Sequence, residues 1–159
     1  METSRTRPVF ERAREQYLIS TDPHRLDPEA IHAYLTQSYW ASGIPRQIVE
    51  QSLEGSLCFG LYDGGRQVGL ARVVTDGATF GYVCDVYVLE SHRGRGLGTW
   101  LMRSVMAHPD LARLRRLVLV TRDAHGLYAK CGFRDLASPR NYMELTRPDI
   151  YRDAEATIG

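Results

Sequence analysis

The stretch from Tyr82 to Met102 holds the residue types from which a phosphate site is built. Strand-forming residues run from Tyr82 to Val88, and a short polar turn follows. Arg93-Gly94-Arg95-Gly96-Leu97-Gly98-Thr99 then opens a helix in which Leu97, Leu101 and Val105 recur at helical spacing. A glycine-rich loop entering a helix presents N–H groups without intrahelical partners and the positive end of the helix dipole. That combination suits a phosphate or pyrophosphate, and glycine lets the oxygens come close to the backbone.

Two familiar phosphate cradles are excluded by single residues. A dinucleotide fingerprint beginning at Gly94 would require glycine where Thr99 stands. A P-loop requires Gly-Lys-Ser/Thr, and the one lysine of the chain is Lys130. What remains is Arg93-x-x-Gly96-x-Gly98 after a strand, which resembles the acetyl-CoA loop of the GCN5-related N-acetyltransferase (GNAT) family. A second stretch, Leu127-Tyr128-x-Lys130-x-Gly132-Phe133, resembles that family's later motif, a helix carrying Leu-Tyr-x-Lys/Arg that ends at Gly-Phe. Gly132 also suits a helix C-cap, with Phe133 returning to the core. The interval between the two motifs accommodates one helix and one strand.

The resemblance implies an α/β (α+β) acyl-CoA N-acyltransferase fold. Its mixed sheet would have about six to seven strands flanked by about four helices, with a splayed parallel strand pair holding the coenzyme. It implies an acetyl-CoA-dependent N-acetyltransferase, without a metal, that moves an acetyl group to a primary amine of a small molecule or an amino-terminal group. In the implied site the backbone N–H groups of Val86, Tyr87 and Val88 meet the pantetheine and acetyl carbonyl, and the loop Arg93, Gly94, Arg95, Gly96, Leu97, Gly98 and Thr99 receives the pyrophosphate. Thr121 stands where many relatives hold the pantetheine arm with an asparagine; it keeps a hydroxyl but not the amide pair. Tyr128 corresponds to the acid that protonates the departing sulfur, and a phenol of pKa about 10 is protonated at neutral pH.

The amine must lose its proton, since free primary amines titrate near about 10.4. Strand alternation puts Val83, Asp85 and Tyr87 on one face, so Asp85 is the first candidate base. His125, with its intrinsic pKa near neutrality, is the second, and attack through a water relay is an equal alternative. Some relatives carry a glutamate about where Tyr82 stands, and its loss here leaves the base open. Purely structural roles compete for the same residues: Asp85 as a turn cap and His125 as a surface residue. A different class of function is a catalytically silent acyl-CoA sensor, which would keep Arg93, Gly96 and Gly98 without needing Tyr128.

The elements that must position these residues follow from pattern. Residues 1–15 read as a charged lead-in and Gln16–Ser20 as the first strand. Asp27-Pro28 starts a helix running through Ile31 and Leu35, and Pro45 opens another that Gly55 stops. Leu57–Tyr62 and Gln67–Val74 flank Asp63-Gly64-Gly65, a hairpin signal. After the central helix, Arg116–Thr121 reads as a strand buried on both faces. A helix and a last pair of strands, near Phe133-Arg134 and Tyr142–Leu145, would close a single domain over 1–159 with its core at about 16–146.

Composition narrows the class. The 159 residues, 43% hydrophobic and 25% charged, are those of one ordinary globular domain. A formal net charge of +1 argues against a dedicated nucleic-acid binder, and the lack of an acidic run favours a small, weakly charged acceptor. Cys58, Cys84 and Cys131 are odd in number and lie in apolar segments, which fits reduced thiols in the cytoplasm. No apolar run approaches membrane-spanning length, and no secretory leader is visible. A homodimer is compatible with all of this.

Overall fold

A computed structural model describes residues 6–152. They fall into two compact units, 6–26 with 56–120 and 27–55 with 121–152.

The first unit is a sheet of six strands in the spatial order of the chain: β1 (Glu11–Arg14), β2 (Tyr17–Ser20), β3 (Leu57–Asp63), β4 (Arg66–Thr75), β5 (Phe80–Val88) and β6 (Arg116–Leu119). The first five are antiparallel neighbours, and β6 runs parallel to β5. The expected strand–helix–strand crossover is therefore present, with α3 (Leu97–Ala107) between the parallel strands and the short α4 (Pro109–Ala112) before β6. The β3–β4 hairpin turns at Gly64 and Gly65, with Asp63 opposite Arg66. Leu57, Phe59, Ala71, Val73 and Val83 line one sheet face by cross-strand register. Those five residues are buried, as are Leu97, Leu101, Met102 and Val105 of α3, which packs on β3, β4 and β5. Each Leu, Val, Phe or Met side chain among them contributes about 1.5–3 kcal/mol on burial.

The second unit holds α1 (Pro28–Leu35), α2 (Arg46–Glu54) and α5 (His125–Ala129). Asp27 caps α1 as its position predicts, Oδ1 accepting from the Ala30 N–H at 3.1 Å. Pro45 lies one place earlier than its type suggests, at the N-cap of α2, and Gly55 ends that helix.

Three expectations are corrected. The charged lead-in is not wholly outside the fold, because Glu11–Arg14 pairs with β2 as an exposed edge strand; charge on both faces suits an edge and conceals it from periodicity. Arg116–Thr121 is not buried on both faces: β6 ends at Leu119 and is half-buried as the last strand, with Val120 83% exposed. No strand forms near Phe133-Arg134 or Tyr142–Leu145; this part carries a 3-10 turn at Pro139–Asn141, and Met143 is 98% exposed. The β-propensity of Tyr-Met-Glu-Leu finds no burial there to act on.

Candidate active site

The route from β5 into α3 is set by glycine geometry. Gly94 and Gly96 have φ of 78° and 73°, a region that L side chains rarely occupy. Gly96 is the N-cap of α3, and the first helical bond runs from the Trp100 N–H to the Gly96 carbonyl at 3.1 Å. The N–H groups of Leu97, Gly98 and Thr99 therefore have no acceptor inside the helix. A Cβ at Gly94 would meet open space, and one at Gly96 would come no nearer than 3.8 Å to the Arg14 guanidinium. The requirement for glycine in the free protein is thus dihedral, with room left above the loop.

The loop is fastened on several sides. The Arg93 Nε donates to the Val88 carbonyl at 3.0 Å, closing the turn onto the end of β5. The Arg95 Nη1 donates to the Tyr17 hydroxyl at 2.7 Å, tying the loop to β2. Buried His92, in the 3-10 turn Glu90–His92, lies 2.9 Å from Asp63 and 2.8 Å from the Ser91 hydroxyl through its two ring nitrogens. The Arg14 guanidinium sits 5.3 Å from the centroid of the Trp100 ring, on the first turn of α3. Sequence reasoning missed His92, Asp63 and Arg14. In the sequence Asp63 signals only turn chemistry and Arg14 only a charged lead-in, and no local pattern links either to the loop.

β5 and β6 are paired from Phe80↔Arg116 to Val83↔Leu119, where β6 ends. β5 continues through Cys84 to Val88, so the candidate coenzyme residues Val86, Tyr87 and Val88 lie past the end of the parallel ladder. This part of β5 is also irregular. Between Leu70↔Tyr87 and Arg72↔Cys84, one residue of β4 faces two of β5, and Asp85 has φ 51°.

The bulge corrects the expectation that Asp85 shares a face with Val83, while Tyr87, opposite Leu70, lies with Asp85 on the Arg72 face. Val83 pairs with Val73, whereas Asp85 reaches Arg72, which points to the opposite face from its neighbour Val73. The Arg72 Nε donates to Asp85 Oδ2 at 2.8 Å and its Nη1 to the Ser56 hydroxyl at 2.9 Å. Burial opposes the guanidinium charge, but Asp85, together with the Cys84 and Cys58 sulfurs, holds the Arg72 pKa above its ordinary value. Cys58 and Cys84 stand in the same cross-strand row as Arg72. Burial pushes the Cys58 thiol up to about 12 and that of Cys84 to about 11, against the lowering effect of Arg72. Both are inert thiols.

In the second unit, the Thr121 hydroxyl accepts from the Ala124 N–H at 3.0 Å, and α5 begins at His125, which is exposed. Tyr128, 9% exposed, packs edge-on to Phe133 with ring centroids 6.0 Å apart. Gly132 at φ 95° ends this segment, and the Phe133 N–H donates to the Tyr128 carbonyl at 3.2 Å. Burial first, then Tyr39 and Cys131, pushes the Tyr128 phenol up to about 12. The Arg122 guanidinium lies 3.8 Å over the Tyr39 ring, which itself packs edge-on to Trp40. The predicted residues are thus grouped as Val86–Thr99 with Asp85 in one unit and Thr121, His125 and Tyr128 in the other.

Residues 12–133 match the sequence profile of the Acetyltransferase (GNAT) family. The chain belongs to the GNAT acetyltransferase family. A GNAT-family candidate acetyltransferase of Xanthomonas campestris pv. campestris, known from a crystal structure, is 50% identical; the match covers 85% of this chain and 96% of that one, with a TM-score of 0.83. A candidate acetyltransferase of Gibberella zeae is 38% identical over 144 residues, 77% of this chain and 81% of that protein. A candidate acetyltransferase of Clostridium acetobutylicum, crystallised with acetyl-CoA, shares the fold at a TM-score of 0.60 and 16% identity, over 82% of this chain and 94% of that one. This GNAT acetyltransferase carries both motifs inside the matched span, the glycine turn before α3 and Tyr128 on α5.

Proposed function

We propose that this acetyltransferase uses acetyl-CoA and acetylates a primary amine of a small molecule or an amino-terminal group by direct attack in a ternary complex. The observation that carries the reading is the left-handed Gly94–Gly96 turn, which opens the N-terminus of α3 directly after β5 has passed the end of β6. Such a turn offers Leu97, Gly98 and Thr99 N–H groups and a helix dipole to a pyrophosphate, with space above for it. The binding of acetyl-CoA by a protein of the same fold supports the choice of phosphate ligand. On this reading the chain works as one catalytic domain, since the family profile runs across both units. Its three free thiols fit a cytoplasmic setting.

The N–H groups of Val86 and Val88 hold the acetyl thioester and polarise its carbonyl, whereas the Tyr87 N–H alternates to the β4 side, as does that of Leu89, which donates to the Val68 carbonyl. The neutral amine then forms the new C–N bond while the C–S bond breaks. Tyr128 gives its proton to the sulfur, and the proton shed by the amine restores the phenol. A phenol titrating at about 12 is fully protonated at neutral pH and so is always ready as donor. Because the Asp85 carboxylate is engaged by Arg72, we assign removal of the amine proton to His125 or to a water relay. Thr121 caps its own turn and contributes to the pantetheine arm only through the remaining capacity of its hydroxyl.

The test is incubation of the purified protein with acetyl-CoA and a panel of amino acids, aromatic amines, polyamines and amino-terminal peptides, followed by mass spectrometry. A gain of one acetyl group on an amine, with release of free thiol, supports the reading. Binding of acetyl-CoA without transfer to any amine would point instead to a sensor.

A further inference from the structure

The bulge in β5 is an irregularity with an identifiable fastening. β4 contributes only Ala71 where β5 contributes Asp85 and Val86, and Asp85 sits at φ 51°. That conformation crowds Cβ against the following carbonyl at a modest energetic cost, smaller for Asp than for most residues, so a neighbour that holds the side chain stabilises it. Arg72 does so with a 2.8 Å charge-assisted bond to Asp85, while its other contact, Ser56, anchors the guanidinium to the residue before β3. The two side chains are 16% and 9% exposed, so the pair is largely shielded from solvent.

The consequence falls on the residues that follow. An inserted residue shifts the strand phase by one, turning over every later peptide and side chain relative to a regular strand. With the bulge, Tyr87 is buried opposite Leu70 and Val88 stands opposite Gly69. Gly69 is fitted to this phase: a Cβ there would lie 2.7 Å from the Tyr87 carbonyl.

We propose that Arg72 is a positioning residue for acetyl transfer, which by holding Asp85 in the left-handed bulge fixes the direction of the Val86, Tyr87 and Val88 peptide groups. The inference rests on the reading of that segment as the coenzyme strand. It makes Asp85 a structural partner of Arg72, chosen because a short carboxylate both tolerates the conformation and reaches the guanidinium.

The test compares wild type, Arg72→Met and Arg72→Met/Asp85→Gly. Glycine adopts the bulge conformation without an ion pair, so the double variant removes the buried charge and the need for its partner together. Two readouts are taken: amide hydrogen exchange of Val86–Val88 in the coenzyme-free protein, and kcat with KM for acetyl-CoA. Arg72→Met is expected to speed exchange at these amides by roughly tenfold or more. Its kcat should fall by roughly ten- to a hundredfold, with a smaller change in KM. The double variant is expected to recover slow exchange and most of the lost turnover. A double variant with slow exchange that is no faster in catalysis than Arg72→Met would overturn the proposal and return Asp85 to the chemistry itself. Unchanged exchange and turnover in Arg72→Met would overturn it equally. Should Arg72→Met fail to fold, Arg72→Lys, which keeps the charge but not the forked donor set, must show the same losses in smaller degree. A wild type that does not bind acetyl-CoA refutes the coenzyme reading, whereas the exchange data decide separately whether Arg72 holds the bulge.

Discussion

The His92 imidazole bridges two turns of the sheet, 2.9 Å from Asp63 in the β3–β4 hairpin and 2.8 Å from Ser91 just ahead of the glycine loop. The loop is therefore anchored to the hairpin by a buried side chain, and its position does not depend on α3 alone. Asp63 is one-third exposed, which limits the worth of the pair to about that of one hydrogen bond, about 1 kcal/mol. His92→Ala should raise KM for acetyl-CoA by about fivefold with little change in kcat. Steady-state kinetics check this, and a fall confined to kcat would contradict it.

Gly96 at φ 73° is the hinge of the candidate pyrophosphate site. Gly96→Ala should cost about 1–2 kcal/mol of stability from the left-handed conformation. That appears as a lower denaturation midpoint with unchanged slope.

Tyr128→Phe should lower kcat by about a hundredfold while leaving coenzyme affinity within about twofold. Since the phenol titrates at about 12, the acid stays protonated across the whole range in which the protein can be assayed. Loss of turnover on the alkaline side below about pH 10 would therefore need another group. A wild-type pH profile set beside that of Tyr128→Phe separates the two.

Stability should fall on the alkaline side. Cys58 and Cys84 titrate at about 12 and about 11 when folded, against 9.0 for an unburied thiol, and Tyr128 at about 12 against 10.0. The unfolded chain thus loses these protons first as pH rises, so the stability contribution is complete below pH 9 and is lost between about pH 9 and 12. Cys58→Val should flatten that decline in denaturant titrations at pH 8 and 10.5. An equal slope in both proteins would show that the thiol is not desolvated.

Local chemistry made much of this legible in the sequence. The Asp63-Gly64-Gly65 turn, the Asp27 cap, the crossover from β5 through α3 and the glycine loop are each written in adjacent residues, and the fold expected from them is the one found. Glu11–Arg14 escaped because an edge strand need not alternate, and Tyr142–Leu145 misled because strand propensity without a burying partner makes no strand. The candidate site was legible where a motif is contiguous, at Arg93–Thr99 and Leu127–Phe133. It was not legible where strand register decides. One extra residue between Cys84 and Tyr87 moves Asp85 to the face of Arg72, and no pattern within β5 announces that shift.

The most direct test of the central claim is calorimetric titration of wild type and Gly96→Glu with acetyl-CoA, with NAD and ATP as controls. The account predicts saturable binding of acetyl-CoA by wild type, no comparable binding of the controls, and loss of binding in Gly96→Glu through steric block and like-charge repulsion at the helix N-terminus. Equal affinity of the two proteins for acetyl-CoA, or no binding by wild type, would contradict it.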